Sequence, residues 1–277
     1  MKTIDVGHIQ IGPELPLVFI VGPCVIESRD LVMREAEFLR SIADEVQVPI
    51  VFKSSYLKDN RSSIKSHRGP GIEQGLQILG EVREQFELPI TTDVHDIEQA
   101  QLAGRVVDLL QIPAFLCRQT SLLVAAASTK KPVNVKKGQF ISPAEMKNVA
   151  QKLEESGAAG IMLTERGTFF GYNRLVNDFI GLADMAEHGY PVCFDATHST
   201  QQPGALEKMS GGRPDRAPTL ARAAVATGVQ AVFMESHPDC QNALCDAAAM
   251  LPLDQLKPLI QQLKSLHELV SQFKSQA

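Results

Sequence analysis

Cys24 stands just past an unbroken apolar run, LVFIVGPCVIES over Leu17–Ser28, that turns at once into a polar, helix-opening segment. A buried parallel strand ends in this way and delivers the residue at its tip to a site. A thiol delivered there can be a packing group, a nucleophile or a metal ligand. His198, Glu235 and Asp246 end or follow comparable runs later in the chain. Thiolate, imidazole and carboxylate together suit a divalent transition ion such as zinc, iron(II) or manganese. The same residues also read as a buried structural thiol beside unrelated loop acids, and spacing alone does not separate the two.

A second group is cationic. Lys53, Lys58, Arg61, Lys136 and Arg166 all fall at or just after the ends of apolar runs, in a chain whose formal net charge is -5. Taken singly, each is as well explained as a solvated loop residue paired with an acid. Five gathered at strand ends favour anion binding, because charge of one sign in an enclosed site concentrates and neutralises phosphate and carboxylate groups. Small phosphorylated or carboxylated molecules are the expected ligands.

Both groups require a frame that brings strand ends together. Apolar, β-branched runs recur at Leu17–Cys24, Pro49–Ser55, Pro89–Val94, Leu109–Ala114, Pro132–Lys137, Gly160–Arg166, Pro191–Thr197 and Ala231–His237, eight in all. Helical spacing lies between them, as in Leu31–Glu45 and in Ser142–Ser156, where Ser142 suits an N-cap, Pro143 the first turn and Glu145 a capping box. This alternation predicts an α/β fold, a single (β/α)8 TIM barrel domain over residues 1–277. Residues 1–16 are expected to form a short N-terminal β-hairpin over one barrel end, and residues 254–277 a C-terminal helix with its amphipathic part at Leu256–Phe273. A barrel site is built at the C-terminal ends of the strands, which is where Cys24, Lys53, Asp93, His95, Gln111, Lys136, Arg166, His198 and Glu235 fall.

Composition limits the remaining classes. The acidic balance, with an isoelectric point near 5.8, argues against nucleic acid and anionic membranes as partners. No apolar run approaches the roughly 20 residues that span a bilayer, and no secretory segment opens the chain. Five scattered cysteines argue against a disulfide framework and for a reducing compartment, the cytoplasm. Cys240 and Cys245 lack zinc-knuckle spacing and read as ordinary core or surface thiols. The long polar stretch from Gln201 to Pro214 reads as a loop of the kind that either forms a lid or is merely disordered.

The motifs Gly22-Pro23-Cys24-Val25-Ile26-Glu27-Ser28, Phe52-Lys53-Ser54-Ser55, Lys58-Asp59-Asn60-Arg61-Ser62-Ser63, Arg68-Gly69-Pro70-Gly71, Thr92-Asp93-Val94-His95, Asp195-Ala196-Thr197-His198-Ser199 and Glu235-Ser236-His237-Pro238 occur in one unbroken order. Together they resemble the 3-deoxy-D-manno-octulosonate 8-phosphate synthase family. The resemblance implies condensation of phosphoenolpyruvate with D-arabinose 5-phosphate, with release of phosphate, in lipopolysaccharide biosynthesis, by a homotetramer. It implies that Lys58, Lys136, Arg166 and His198 hold phosphoenolpyruvate and that Asn60, Arg61, Ser62, Asp93 and His95 face the sugar phosphate; Lys53 and Gln111, placed at strand ends, are expected to complete the substrate site. Lys58, Lys136, His198 and Asp246 are the residues expected nearest the chemistry.

The family has metal-dependent and metal-independent classes. Metal-independent members carry asparagine at the position of Cys24 and tend to read Cys-Asp-Gly-Pro where this chain has Cys245-Asp246-Ala247-Ala248. The resemblance therefore implies the metal-dependent class, with Cys24, His198, Glu235 and Asp246 as ligands. Cys245 is expected to be structural, since adjacent residues on a helix point apart. The alternative is the 3-deoxy-D-arabino-heptulosonate 7-phosphate synthase branch, which uses erythrose 4-phosphate and whose loop usually reads Lys-Pro-Arg-Thr-Ser; Asn60 favours the five-carbon sugar. A sialic-acid-type synthase would carry a further C-terminal module, and a non-catalytic sugar-phosphate binder would need anion clamps without metal ligands.

Overall fold

The structure, a computed structural model, describes residues 1–60, 66–169, 172–205 and 211–274. The chain opens with the hairpin β1 (Ile4–Val6) and β2 (Ile9–Ile11), then runs β3 (Val18–Gly22), α1 (Arg29–Val46), β4 (Ile50–Lys53), α2 (Ile72–Phe86), β5 (Ile90–Asp93), α3 (Ile97–Ala103), β6 (Leu109–Ile112) and α4 (Thr120–Ser128). It continues through β7 (Pro132–Lys136), α5 (Met146–Glu155), β8 (Gly160–Glu165), the short pair β9 (Thr168–Phe169) and β10 (Leu175–Val176), α6 (Ile180–Glu187) and β11 (Val192–Asp195). The two-residue strands β12 (Gln201–Gln202) and β13 (Gly211–Gly212), α7 (Ala217–Thr227), β14 (Ala231–His237), β15 (Leu251–Pro252) and α8 (Leu256–Lys274) complete it.

Strands β3 to β8, β11 and β14 pair in parallel, each with the next, and β14 returns to β3 over five residue pairs from Ala231↔Val18 to Glu235↔Gly22. The sheet is thus a closed eight-stranded barrel with helices outside, as the recurrence of apolar runs predicts. Each expected strand is present; β14 matches its run in full and the other seven are one to three residues shorter.

Local chemistry explains the element ends. Ser28 caps α1, its hydroxyl accepting from the Leu31 amide at 3.2 Å, and Val32, Ala36, Leu39 and Ile42 form the buried stripe behind it. Helix α5 starts later than its sequence suggests. The capping box of Ser142 and Glu145 forms, with the Ser142 amide donating to Glu145 at 2.9 Å, but residues 143–145 make a tight i to i+3 turn and the α-helix begins at Met146. Gly22 is needed where β3 meets β4: a Cβ there would lie 2.1 Å from the Lys53 carbonyl oxygen.

The barrel interior is layered by strand alternation. Val51, Leu109, Met162, Cys193 and Phe233 point inward and are fully buried. Two residues further along the same strands come Lys53, Gln111, Thr164, Asp195 and Glu235, so the interior changes from apolar to polar in one step towards the C-terminal mouth. At the opposite end the hairpin acts as a plug. Ile4, Val6, Ile9 and Ile11 pack into the same cluster as Val18, Ile20, Met162 and Phe233. No helix among the described residues is long and apolar enough to cross a membrane.

Candidate active site

The polar layer opens into a cleft of about 480 Å³, within the range of small-molecule sites, lined by Lys58, Asn60, Asp93, His95, Lys136, Arg166, His198 and Asp246 among others. Cys24, Lys53, Gln111 and Glu235 lie just beneath or beside that wall and are buried. Arg61 and Ser62 lie outside the described residues. A hollow between α2 and α3, lined by Ile72, Leu76 and Arg105, has no comparable gathering of expected residues.

Three ion-paired units build the floor. Lys53 donates to Glu235 at 2.6 Å and to the Cys24 carbonyl at 3.2 Å, while Lys58 approaches the same Glu235 oxygen at 3.6 Å. Burial alone would push the Glu235 carboxyl up, but Lys53, Lys58, His198 and Lys136 outweigh it and hold Glu235 well below the usual carboxylate range. Lys136 donates to Asp195 at 2.6 Å and lies 3.7 Å from the centre of the Phe233 ring. Asp195 also receives the His198 amide at 2.9 Å and faces His198 Nδ1 at 2.7 Å. With Nδ1 donating to Asp195, the lone pair of His198 is on Nε2, which faces Glu235 at 3.4 Å and Asp246 at 3.9 Å.

The third unit is a belt that starts just after β4 and crosses β5 to β8. Ser55 donates to Asp93 at 2.6 Å, Gln111 to Asp93 at 2.8 Å, Asn134 to Gln111 at 2.9 Å and Thr164 to Asn134 at 2.6 Å. Burial opposes a charge on Asp93, yet Lys53, Lys58 and Lys136 hold it well below its ordinary value. Gln111 therefore orients Asp93 from below, and Asp93 with His95 forms the side of the cleft next to Asn60. His95 is set by Gln99, whose side-chain oxygen lies 2.9 Å from Nδ1. Arg166 reaches Gln201 at 2.6 Å and keeps Nη1 buried without a hydrogen-bond partner, a donor suited to an anion in the cleft.

Sequence reasoning overlooked Asn134, Thr164 and the pocket-wall rings Phe115 and Phe169. The first two were open to it, because Asn134 and Thr164 lie two residues before Lys136 and Arg166 and so share their inward face. Cys245 requires a correction. It is a buried thiol, as expected, but it does not lie on a helix: the segment after β14 is a turn, Asp246 has φ 44°, and Cys245 Sγ lies 2.9 Å from Cys24 Sγ. Cys24, Cys245 and Asp246 offer ligand atoms within 4.8 Å of one another, as do His198, Glu235 and Asp246. The expected ligands Cys24, His198, Glu235 and Asp246 thus converge around Asp246, with one more sulfur beside them.

Residues 2–272 match the model of the DAHP synthetase I family. Among curated relatives, the 2-dehydro-3-deoxyphosphooctonate aldolase of Granulibacter bethesdensis is 52% identical over 95% of this chain and 93% of its own. Proteins of the same name from Magnetococcus marinus and Trichlorobacter lovleyi are 53% and 51% identical, over 96% and 97% of this chain and 92% and 99% of theirs. With its barrel closed and residues 2–272 matched by the family model, the chain belongs to the DAHP synthetase I family.

Proposed function

We propose that this chain condenses phosphoenolpyruvate with D-arabinose 5-phosphate and water, giving 3-deoxy-D-manno-octulosonate 8-phosphate and phosphate. The observation that carries it is the convergence of Lys58, Lys136 and Arg166 on one cleft that Asn60, Asp93 and His95 also line. Two anionic substrates need such a division, one set of cations for a compact phosphate-carboxylate and a polar wall for a polyol. The roughly half-identical relatives bear the octonate name, and Asn60 in this wall favours the five-carbon sugar over erythrose 4-phosphate.

In the reaction, C3 of phosphoenolpyruvate bonds to the aldehyde carbon of the sugar, whose oxygen takes a proton. Water adds to C2, loses a proton, and the C2–O bond to phosphate breaks. Lys58, Lys136 and Arg166 bind and orient phosphoenolpyruvate and neutralise the charge that builds on the leaving phosphate. His198 is fixed by Asp195, which sits 2.7 Å from Nδ1 and turns Nε2 towards the cleft. Asp93 and His95 hold the sugar hydroxyls.

We place the chain in the metal-dependent class. The donor set fits: a thiol, an imidazole nitrogen with its lone pair turned inward and two carboxylates lie together, and Cys24, His198, Glu235 and Asp246 would hold a divalent ion, zinc, iron(II) or manganese. Such an ion supplies polarisation of a carbonyl or hydroxyl and lowers the pKa of bound water. The same likeness supports a cytoplasmic homotetramer acting in lipopolysaccharide biosynthesis.

One assay tests these points together: phosphate release from phosphoenolpyruvate with arabinose 5-phosphate against erythrose 4-phosphate, before and after chelation. Release dependent on the pentose and lost on chelation is expected. Release without aldose, or with erythrose 4-phosphate alone, overturns the activity; full release after verified metal removal overturns the metal-dependent class.

A further inference from the structure

Resting on the metal-dependent reading above, we infer that Cys245 is a second thiolate ligand, so that the ion is held by a sulfur pair, Cys24 and Cys245, together with His198 and the carboxylates. Both thiols are buried, and their sulfurs are 2.9 Å apart although they are 221 residues apart in sequence. Cys24 Sγ is also 3.4 Å from Asp246 Oδ2, the oxygen that faces His198 Nε2 at 3.9 Å. The carboxylate of Asp246 therefore belongs to both ligand triads, Cys24–Cys245–Asp246 and His198–Glu235–Asp246, and links the sulfur pair to the imidazole.

The position of Cys245 is built. Glu27, three residues after Cys24, accepts the Leu244 amide at 2.8 Å and so ties the segment carrying Cys245 to the loop carrying Cys24. The left-handed backbone of Asp246 then lets two adjacent side chains face the same point, which a helix would forbid. The Asp246 carbonyl closes the turn by accepting the Ala249 amide at 2.8 Å.

Charge balance supports a second thiolate. Two thiolates and the carboxylates of Glu235 and Asp246 exceed the charge of a divalent ion, and Lys53 and Lys58, both against Glu235, supply the difference. Sulfur pairs also select. Thiolate favours zinc or iron(II) over manganese, which prefers oxygen, so Cys245 would narrow the metal range of this chain.

Zinc-edge X-ray absorption on the full-length wild-type protein loaded with one equivalent of zinc reads the sulfur number without any substitution. Two sulfurs at about 2.3 Å are expected. One sulfur overturns the inference and leaves the metal reading standing; no sulfur, or no bound zinc, overturns both. In parallel, the cobalt(II) protein should show a thiolate charge-transfer band that falls to about half in Cys245→Ser, with the competition between zinc and manganese shifting roughly tenfold or more towards manganese. An undiminished band and unchanged selectivity in a Cys245→Ser protein that melts like the wild type would sink the second ligand.

Discussion

Single residues carry the sharpest expectations. Replacing Cys24 by Ala should abolish tight metal binding while leaving the barrel folded, because its side chain belongs to a small cluster with Val25, Cys245 and Met250 and not to the main core; stoichiometric metal in that variant would show the ligand assignment to be wrong. Lys136→Met should lower kcat/KM for phosphoenolpyruvate by on the order of 10²–10³, the effect of losing one preorganised donor to developing charge. Steady-state kinetics on the folded variant would check it. Glu35 governs stability rather than chemistry. Burial pushes its carboxyl up to about 8, Glu235 and Glu27 add to the rise, and the bond from Ser236 offsets only part of it. The folded state thus keeps a proton that the unfolded state has lost, so between about pH 4.5 and 8 stability falls as pH rises. Glu35→Gln should remove that slope and raise the melting temperature more at pH 8 than at pH 5; an equal gain at both would refute the titration.

Elements show how far the chain could be understood before its structure. Every barrel strand was legible because a strand buried on both faces is a short apolar run, and each run here is closed by polar or turn residues. The mouth was legible for the same reason: Lys53, Lys136, Arg166 and Glu235 interrupt or end runs that are otherwise apolar. The segment after β14 was not, since neither the turn at Asp246 nor the tether from Glu27 to Leu244 leaves a periodic mark, and a helical assumption there separated Cys245 from its neighbour. Asn134 and Thr164 could be placed on the inward face by their spacing from Lys136 and Arg166, but their mutual contact could not, because it needs the pairing of β7 with β8. Helix α1 offers an element-scale test: Ser28→Ala should cost about 1 kcal/mol of stability, the usual loss of an N-cap, with activity retained. Chemical denaturation would measure it, and a loss of activity without loss of stability would assign Ser28 a role in the site.

For the whole molecule, the division of labour between the two barrel ends is what matters. The hairpin end is apolar and adds to the main core, since Ile4, Val6, Ile9 and Ile11 are buried there at about 1.5–3 kcal/mol each. Deleting residues 1–12 should therefore lower the melting temperature sharply and expose apolar surface to a reporter dye, an outcome that an unchanged melt would contradict. Chemistry is concentrated at the other end, in a layer that is polar, charged and held by ion pairs. That plug also has a kinetic consequence. A well stopped at the bottom has one doorway, so both substrates, the water and the phosphate share it. Under the proposed roles, a substrate held by Lys136 and Arg166 beneath the sugar would have to enter first, and turnover would become a queue whose order is fixed by depth.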